Sequence, residues 1–222
     1  MSLSLASRFA RREMRGGLKG FRLFLACLAL GVAAIAAVGS GRAAIEAGLQ
    51  REAAALLGGA AELDFTYRFA TEEEQDWIAT RATSISEIVE FRSMAVVGDE
   101  RALTQIKGVD DAYPLVGQMV LDPAMPLDAA LADRGGNPGA VMERALSDRL
   151  GIAAGDTFKL GSKAYHLSAL IVREPDSAAS GFALGPRTLL RRDALEGSGL
   201  LGPGTLFNSK YRLTLPQGTD LD

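Results

Sequence analysis

The residue types that most often perform catalysis or bind metals are scarce in this chain. It has one histidine, His166, and one cysteine, Cys27, among 222 residues. A single histidine removes most histidine-based zinc sites and leaves only one base for a Ser-His-Asp or Cys-His arrangement. His166 lies in an alternating run, on the side shared by Ala164 and Ser168, with no second histidine or cysteine nearby. We therefore expect a structural or surface residue there.

Carboxylates supply the remaining candidate chemistry. Glu174 and Asp176 flank Pro175 at the end of a predicted strand, and such a pair offers oxygen ligands for a cation, although the pattern is more typical of a turn. The acidic run at residues 72–74 falls in the first turn of a predicted helix, where acids complement the helix dipole. The sequence contains no Gly-x-Ser-x-Gly elbow, no His-Glu-x-x-His motif and no phosphate-binding loop ending in Gly-Lys-Ser/Thr. We therefore predict no catalytic, cofactor-binding or metal-binding residues, and no enzyme activity.

Charge is divided unequally along the chain. Residues 1–42 carry seven Lys and Arg residues and one acid, whereas the remaining 180 residues carry 17 basic and 26 acidic groups. The first part therefore has a net charge of +6 and the second part −9. An acidic body disfavours nucleic-acid binding, and the contrast indicates that the two parts lie in different surroundings.

Residues 23–41, between Arg22 and Arg42, form one uncharged stretch, LFLACLALGVAAIAAVGSG. A helix of this length spans about 30 Å, which matches the thickness of the hydrocarbon core of a bilayer. Basic residues precede it in excess, so the positive-inside rule places the N-terminus in the cytoplasm and the rest of the chain outside it. A cleaved signal peptide and a buried core helix fit this stretch less well, because the apolar run exceeds about 7–15 residues and is uniform.

Small residues dominate the outer half of the predicted membrane helix. Ala29, Ala33 and Ala37 are spaced four apart, which places them on one stripe of the helix. Stripes of small residues let a second helix approach closely in lipid. These three alanines are the candidate helix-packing face.

The distribution of charged and apolar residues divides the chain into four segments. Residues 1–22 form a basic cytoplasmic amphipathic segment, which either lies on the inner membrane surface or serves only as a topology signal. Residues 23–41 form the transmembrane helix, and residues 42–58 extend it outward to a glycine pair. Residues 59–222 form an extracytoplasmic domain. The predicted fold class is α+β: one N-terminal transmembrane helix, then a mixed α+β domain with a small β-rich subdomain after Gly155.

Local patterns predict the elements of this domain. Thr71 and Glu74 have the spacing of a capping box, and the helix that they open is predicted to bury Trp77 and Ile78. A further helix is predicted over residues 140–150, closed by Gly151. Strands are predicted over residues 63–68, 85–98, 102–107, 113–121, 156–160, 163–172, 187–190 and 207–215, with hairpin turns at residues 98–99 and 161–162.

The sequence resembles the FtsX/MacB-type ABC transporter permeases, and most closely the branch described as predicted permeases associated with a lysophospholipase or arylesterase. The resemblance follows the order of the chain. It is carried by RREMRGGLKGFRLFLACLALGVAAIAAVGS, LLGGAAELDF, EFRSMAVV, QIKGVDDAYPLVG, ALSDRLGIAAGDTFKLG, VREPD and GPRTLL.

The resemblance implies a permease subunit of an export or mechanotransmission system in the bacterial inner membrane. It implies a cytoplasmic ABC ATPase as partner, a surrounding lipid bilayer and a permease dimer, with a MacB-like periplasmic domain that is incomplete here. Members of the family carry further membrane helices beyond this outer domain, so the resemblance also implies that the chain is a fragment. A single-pass anchored extracytoplasmic binding module with no ATPase partner remains the alternative.

Overall fold

A computed structural model of the chain describes residues 9, 21–42, 44–45, 58–176, 185–202 and 204–216. The chain divides into two compact units, Met1–Arg51 and Glu52–Asp222. Most of the predicted basic segment 1–22 and of the predicted helix extension 42–58 lies outside the described residues.

The first unit contains one long helix, α1, at Phe21–Arg42. It is long and apolar enough to cross a membrane, and every one of its side chains is exposed. A helix with apolar side chains is suited to lipid, because its backbone groups are satisfied within the helix. The predicted N-terminal membrane-helix candidate is thereby confirmed.

The second unit, which we call the sheet domain, is built mainly from strands. Its helices are α2 (Glu72–Ala79), α3 (Leu127–Leu131) and α4 (Arg144–Leu150), with a short 3₁₀ turn at Asp193–Leu195. Its strands are β1 (Ala61–Thr66), β2 (Ser84–Val97), β3 (Glu100–Val109), β4 (Val120–Asp122), β5 (Gly139–Glu143), β6 (Thr157–Leu160), β7 (Lys163–Arg173), β8 (Arg187–Arg191) and β9 (Phe207–Thr214).

Six of these strands close into a ring. The pairings run β2–β3–β8–β5–β7–β6 and return from β6 to β2, while β9 and then β1 extend outward from β2, and β4 pairs with β7. The ring is filled by buried apolar side chains from all six strands: Val89, Ile106, Leu190, Met142, Leu167 and Phe158. Strands from before and after Gly155 therefore share one sheet. The predicted α+β class is confirmed.

Both predicted hairpins are present. Strands β2 and β3 pair from Ile88↔Val109 to Val97↔Glu100, and β6 pairs with β7 from Thr157↔His166 to Leu160↔Lys163. The capping box also forms, since the Thr71 side chain accepts from the Glu74 backbone and the Glu74 side chain accepts from the Thr71 backbone. These features depend on residues close in sequence, which explains why local patterns suffice to predict them.

The prediction of one helix over residues 140–150 is wrong for its first half. Residues Gly139–Glu143 form strand β5, and only Arg144–Leu150 is helical, ending at Gly151 with φ +66° as predicted. Strand β5 lies between β7 and β8. A short apolar strand that is buried on both faces has the same composition as a buried helix, so periodicity does not separate the two.

Two further expectations fail. The predicted strand over residues 113–121 is reduced to Val120–Asp122, because Pro114 lacks a backbone donor and Gly117 has φ +84°. Trp77 is 51% exposed, whereas Ile78 is buried. Adjacent helical residues point about 100° apart. Only Ile78 faces the core, and the Trp77 ring lies 4.0 Å from the Arg81 guanidinium carbon.

Candidate functional site

One face of the sheet carries many charged side chains, alongside apolar ones such as Ile88 and Leu189. We call it the charged face, and it runs across β1, β9, β2, β3 and β8. Cross-strand register places Glu62 opposite Arg212, Glu90 opposite Lys107, and Gln105 opposite Arg187. The other face of the same strands carries core residues such as Val89 and Tyr211.

Part of the charged face is sealed from solvent and forms a group that we call the buried ion cluster. Its members are Lys107, Tyr113, Glu174, Asp176, Arg187 and Arg212, all of which are buried. Lys107 is at its centre. Its Nζ atom lies 2.5 Å from Glu174 Oε1, 2.6 Å from Asp176 Oδ2 and 3.1 Å from the Tyr113 hydroxyl oxygen.

Two arginines complete the cluster. Arg187 donates to the second oxygen of Glu174, and Arg212 pairs with Asp176. Arg212 Nε also lies 2.8 Å from Glu62 Oε2. Within the cluster three cations therefore face two buried carboxylates, and the partly exposed Glu62 supplies a third, so each buried cation has an acidic partner that offsets its desolvation.

The surroundings shift the pKa values within the cluster. Lys107 and Arg187 hold the pKa of the Glu174 carboxyl below its ordinary value of 4.5, against the opposing effect of burial. Burial lowers the pKa of the Lys107 ammonium to about 8, and the nearby Arg212 guanidinium adds to that effect. Burial and the adjacent Glu174 raise the pKa of Tyr113, so its hydroxyl stays protonated and donates to Asp176 Oδ1 at 2.8 Å.

The cluster lies directly beneath Gly58, the first residue described before β1. Gly58 has φ +73°, and a Cβ atom at this position would lie 2.8 Å from Arg212 Nη1 and 3.0 Å from Asp176 Cβ. A glycine is therefore required for two reasons, since the conformation is left-handed and the space is filled. The chain enters the sheet domain in contact with the Arg212–Asp176 pair.

The arrangement locks chain segments together and offers no reactive group to a substrate. Lys107 is 1% exposed, and its three N–H donors are all directed at cluster members. Five segments meet here: the start of the domain, β3 with the loop that follows it, the end of β7, β8 and β9. The cluster thus joins the loop at Tyr113 and the segment at residues 174–176 to the sheet.

The structure corrects the cation-site hypothesis for Glu174 and Asp176. The two carboxylates do bind cations, but these are the side chains of Lys107, Arg187 and Arg212. Among the described residues, no group of three or more His, Cys, Asp or Glu side chains is placed to hold a metal ion.

The other residues noted from sequence lie apart from this cluster. Ala29, Ala33 and Ala37 are exposed on α1, and their role as a packing face stays a prediction. His166 is half-buried in β7, where its backbone N–H donates to Pro138 O. Cys27 is a free, exposed thiol on α1.

Sequence reasoning did not identify Lys107, Arg187 and Arg212 as a site. All three occupy polar positions of strands, and such positions are expected to face solvent. The feature of the sequence that pointed to this cluster was the Glu174-Pro175-Asp176 triplet, which places two carboxylates directly after a predicted strand. The loops that seal this part of the charged face are not encoded by strand periodicity.

Comparison with known proteins finds a similarity to ABC transporter permeases. No protein-family profile matches the chain. A curated ABC transporter permease is 26% identical to it over 188 residues, which cover 83% of this chain and 22% of the relative. The predicted resemblance to ABC transporter permeases is thereby confirmed. This relative is the uncharacterized ABC transporter permease YbbP of Escherichia coli (strain K12), and the chain spans 22% of its length.

Two solved structures are similar at greater distance. One is the extracellular domain of the noncanonic ABC-type transporter YknZ from Gram-positive bacteria, with a TM-score of 0.45, 10% identity and coverage of 68% of this chain and 73% of that chain. The other is the periplasmic region of MacB from Actinobacillus actinomycetemcomitans, with a TM-score of 0.46, 10% identity and coverage of 73% of this chain and 78% of that chain.

Proposed function

We propose that the chain is part of a permease subunit of an ABC-type export or mechanotransmission system, and that it couples a cytoplasmic ATPase to an extracytoplasmic domain. The observation that carries this proposal is the similarity to an ABC transporter permease over 83% of the chain. The chain acts mechanically and not as an enzyme, and its partners are the ATPase, the bilayer and a second permease copy.

The proposed topology uses the four segments of the sequence. Residues 1–22 lie in the cytoplasm, residues 23–41 cross the inner membrane, residues 42–58 continue outward, and residues 59–222 are periplasmic. The helix Phe21–Arg42 supports the crossing. The excess of Arg and Lys before residue 23 supports the cytoplasmic position of the N-terminus.

The sheet domain is built to carry a displacement from its entry strand into its core. The Ala60 backbone N–H donates to Leu213 O at 2.8 Å, and β1 pairs with β9 from Ala61↔Leu213 to Thr66↔Asn208. Strand β9 also pairs with β2 over eight residues, and β2 belongs to the closed ring. Hydrogen-bonded strands shift together because each ladder must stay paired, so a pull at Gly58 reaches the ring through β9.

The test is isolation of the complete permease that contains this chain, with an affinity tag, from its native membranes. We expect an ABC ATPase subunit to copurify in a fixed ratio and to hydrolyse ATP in the complex. A reporter enzyme that is active only outside the cytoplasm is expected to work when fused after Asp222 and to be silent when fused before Arg15. Isolation of the permease without any ATPase would favour the anchored binding module instead, and the reverse reporter pattern would overturn the topology.

A further inference from the structure

The exposed part of the charged face contains a cavity that is separate from the buried ion cluster. The cavity has a volume of about 600 Å³, which is within the range of small-molecule sites. Its walls come from the residue that follows β1, the middle of β2 and β3, and the start of β9 with the two residues before it. The residues that matter here are Tyr67, Arg92, Gln105, Leu206 and Asn208.

Three polar side chains converge on this cavity without partners. In the part of the chain that the structure describes, the side chains of Arg92, Gln105 and Asn208 make no hydrogen bond or ion pair within the protein. Glu90 and Lys210, which also line the cavity, form an ion pair with 3.2 Å between Lys210 Nζ and Glu90 Oε2, and Lys210 Nζ also lies 3.6 Å from Glu62 Oε1. Among the described residues that line the cavity, the exposed Arg92 is therefore the charged side chain without an ion-pair partner, and it lies beside two amides that make no hydrogen bond within the protein.

Apolar side chains continue from these polar groups along the same face. Arg92 lies opposite Gln105, and the next pair on that face is Met94 opposite Leu103. Met94 and Leu103 are 42% and 41% exposed, and Leu206 at the cavity rim is 68% exposed. Large apolar side chains that stay exposed next to free donors are typical of a binding surface.

We propose that this cavity binds an anionic single-chain amphiphile. Its acidic headgroup accepts hydrogen bonds from the Arg92 guanidinium and from the amides of Gln105 and Asn208, because planar arginine donors match carboxylate and phosphate oxygens. Its alkyl chain covers Met94, Leu103 and Leu206. This inference does not depend on the proposed coupling to an ATPase.

The test uses octanoate as the probe and the full chain in nanodiscs of zwitterionic lipid, with empty nanodiscs subtracted. Titration calorimetry is expected to show saturable binding of octanoate. Octylammonium, which has the same chain length and the opposite charge, is expected not to bind. Butyrate, which keeps the acidic group and shortens the chain, is expected to bind more weakly than octanoate.

Substitutions of cavity residues test whether octanoate binds at the proposed site. Arg92→Gln is expected to weaken octanoate binding about tenfold, because a charge-assisted hydrogen bond is lost. Arg149→Gln is the matched control, since Arg149 is an exposed arginine on α4 that does not line the cavity. Leu103→Ser is expected to weaken binding of octanoate but not of butyrate. Circular dichroism confirms that each variant is folded.

Three results would overturn the proposal. The first is equal octanoate binding by wild type and Arg92→Gln, which would place the anion elsewhere. The second is equal binding of octylammonium, which would show that no positive charge selects the ligand. The third is heat no greater than that of empty nanodiscs, which would mean that the probe only partitions into lipid.

Discussion

Lys107 Nζ lies 2.5 Å from Glu174 Oε1 at a place where neither side chain reaches solvent. The two residues are far apart in sequence, and their pairing joins β3 to the segment after β7. An ion pair this deeply buried is costly to form and more costly to break. Removal of one partner leaves the other charge desolvated and uncompensated, which costs about 3–5 kcal/mol.

The first prediction concerns this pair. Glu174→Gln is expected to lower the free energy of unfolding by about 3 kcal/mol, because Lys107 and Arg187 lose their shared counter-ion. Lys107→Met is expected to be destabilising as well, and the double variant is expected to lose less than the sum of the two. Urea unfolding of the full chain, followed by circular dichroism, measures all three.

An exposed ion pair provides the control for that experiment. Arg144 Nη2 lies 2.9 Å from Asp122 Oδ2, and both side chains are largely exposed. Asp122→Asn is expected to change the free energy of unfolding by less than about 1 kcal/mol. Additive effects of Glu174→Gln and Lys107→Met would show that the two residues do not stabilise the fold as a pair.

The second prediction concerns the stability of the fold at acidic pH. The pKa of Glu174 is lower in the folded chain than its ordinary value of 4.5. The stability that its charge contributes is therefore fully present above pH 4.5 and is lost as the pH falls through the folded pKa. Uptake of one proton by the Glu174 carboxylate changes the free energy of unfolding by about 1.4 kcal/mol per pH unit within that window. Glu174→Gln removes this group, so its stability is expected to fall less steeply below pH 4.5. Parallel curves for wild type and variant would contradict the assignment.

The third prediction concerns Gly58. Gly58→Ala is expected to destabilise the fold by about 2 kcal/mol, because the new methyl group meets Arg212 and Asp176 and the backbone is left-handed. Gly98→Ala isolates the backbone contribution, since Gly98 has φ +56° and nothing within 4 Å of a Cβ atom. The control is expected to cost about 1 kcal/mol. Equal thermal shifts for the two variants would show that the space beside Arg212 is not filled.

Sequence patterns predicted much of the fold because many of its elements are local. The hairpin at Gly98, the capping box of Thr71 and Glu74, and the left-handed end of α4 at Gly151 each depend on a few neighbouring residues. Strand β5 was missed because its burial depends on β7 and β8, which come later in the chain.

The buried ion cluster was missed for a related reason. Lys107, Arg187 and Arg212 lie in strands whose polar and apolar residues alternate, at positions where a charged side chain normally faces water. Their burial depends on loops that return from other parts of the chain, as shown at Gly117, where an added Cβ atom would lie 2.5 Å from Pro175 Cβ. Alternation assigns a residue to one face of a sheet, but it does not show what covers that face.

The last prediction concerns α1 as a packing surface. Ala29, Ala33 and Ala37 recur every four residues, so they share one stripe of the helix. A helix that serves only as an anchor would gain from Leu or Ile at these positions, because larger apolar side chains insert more favourably into lipid. A stripe of alanine instead suits close contact with another helix of the complete permease.

Ala33→Leu is therefore expected to impair copurification of the complete permease with its ATPase, while the protein still fractionates with membranes. The added side chain forces the two helices apart at a cost of about 1–2 kcal/mol, as in an overpacked core. Gly31→Leu is the control, since Gly31 is two residues from Ala33 and therefore lies about 160° around the helix from it, and a Cβ atom there would meet nothing within 4 Å. Unchanged complex formation with leucine at both Ala33 and Ala37 would show that the stripe faces lipid, and the inference from small residues would then be wrong.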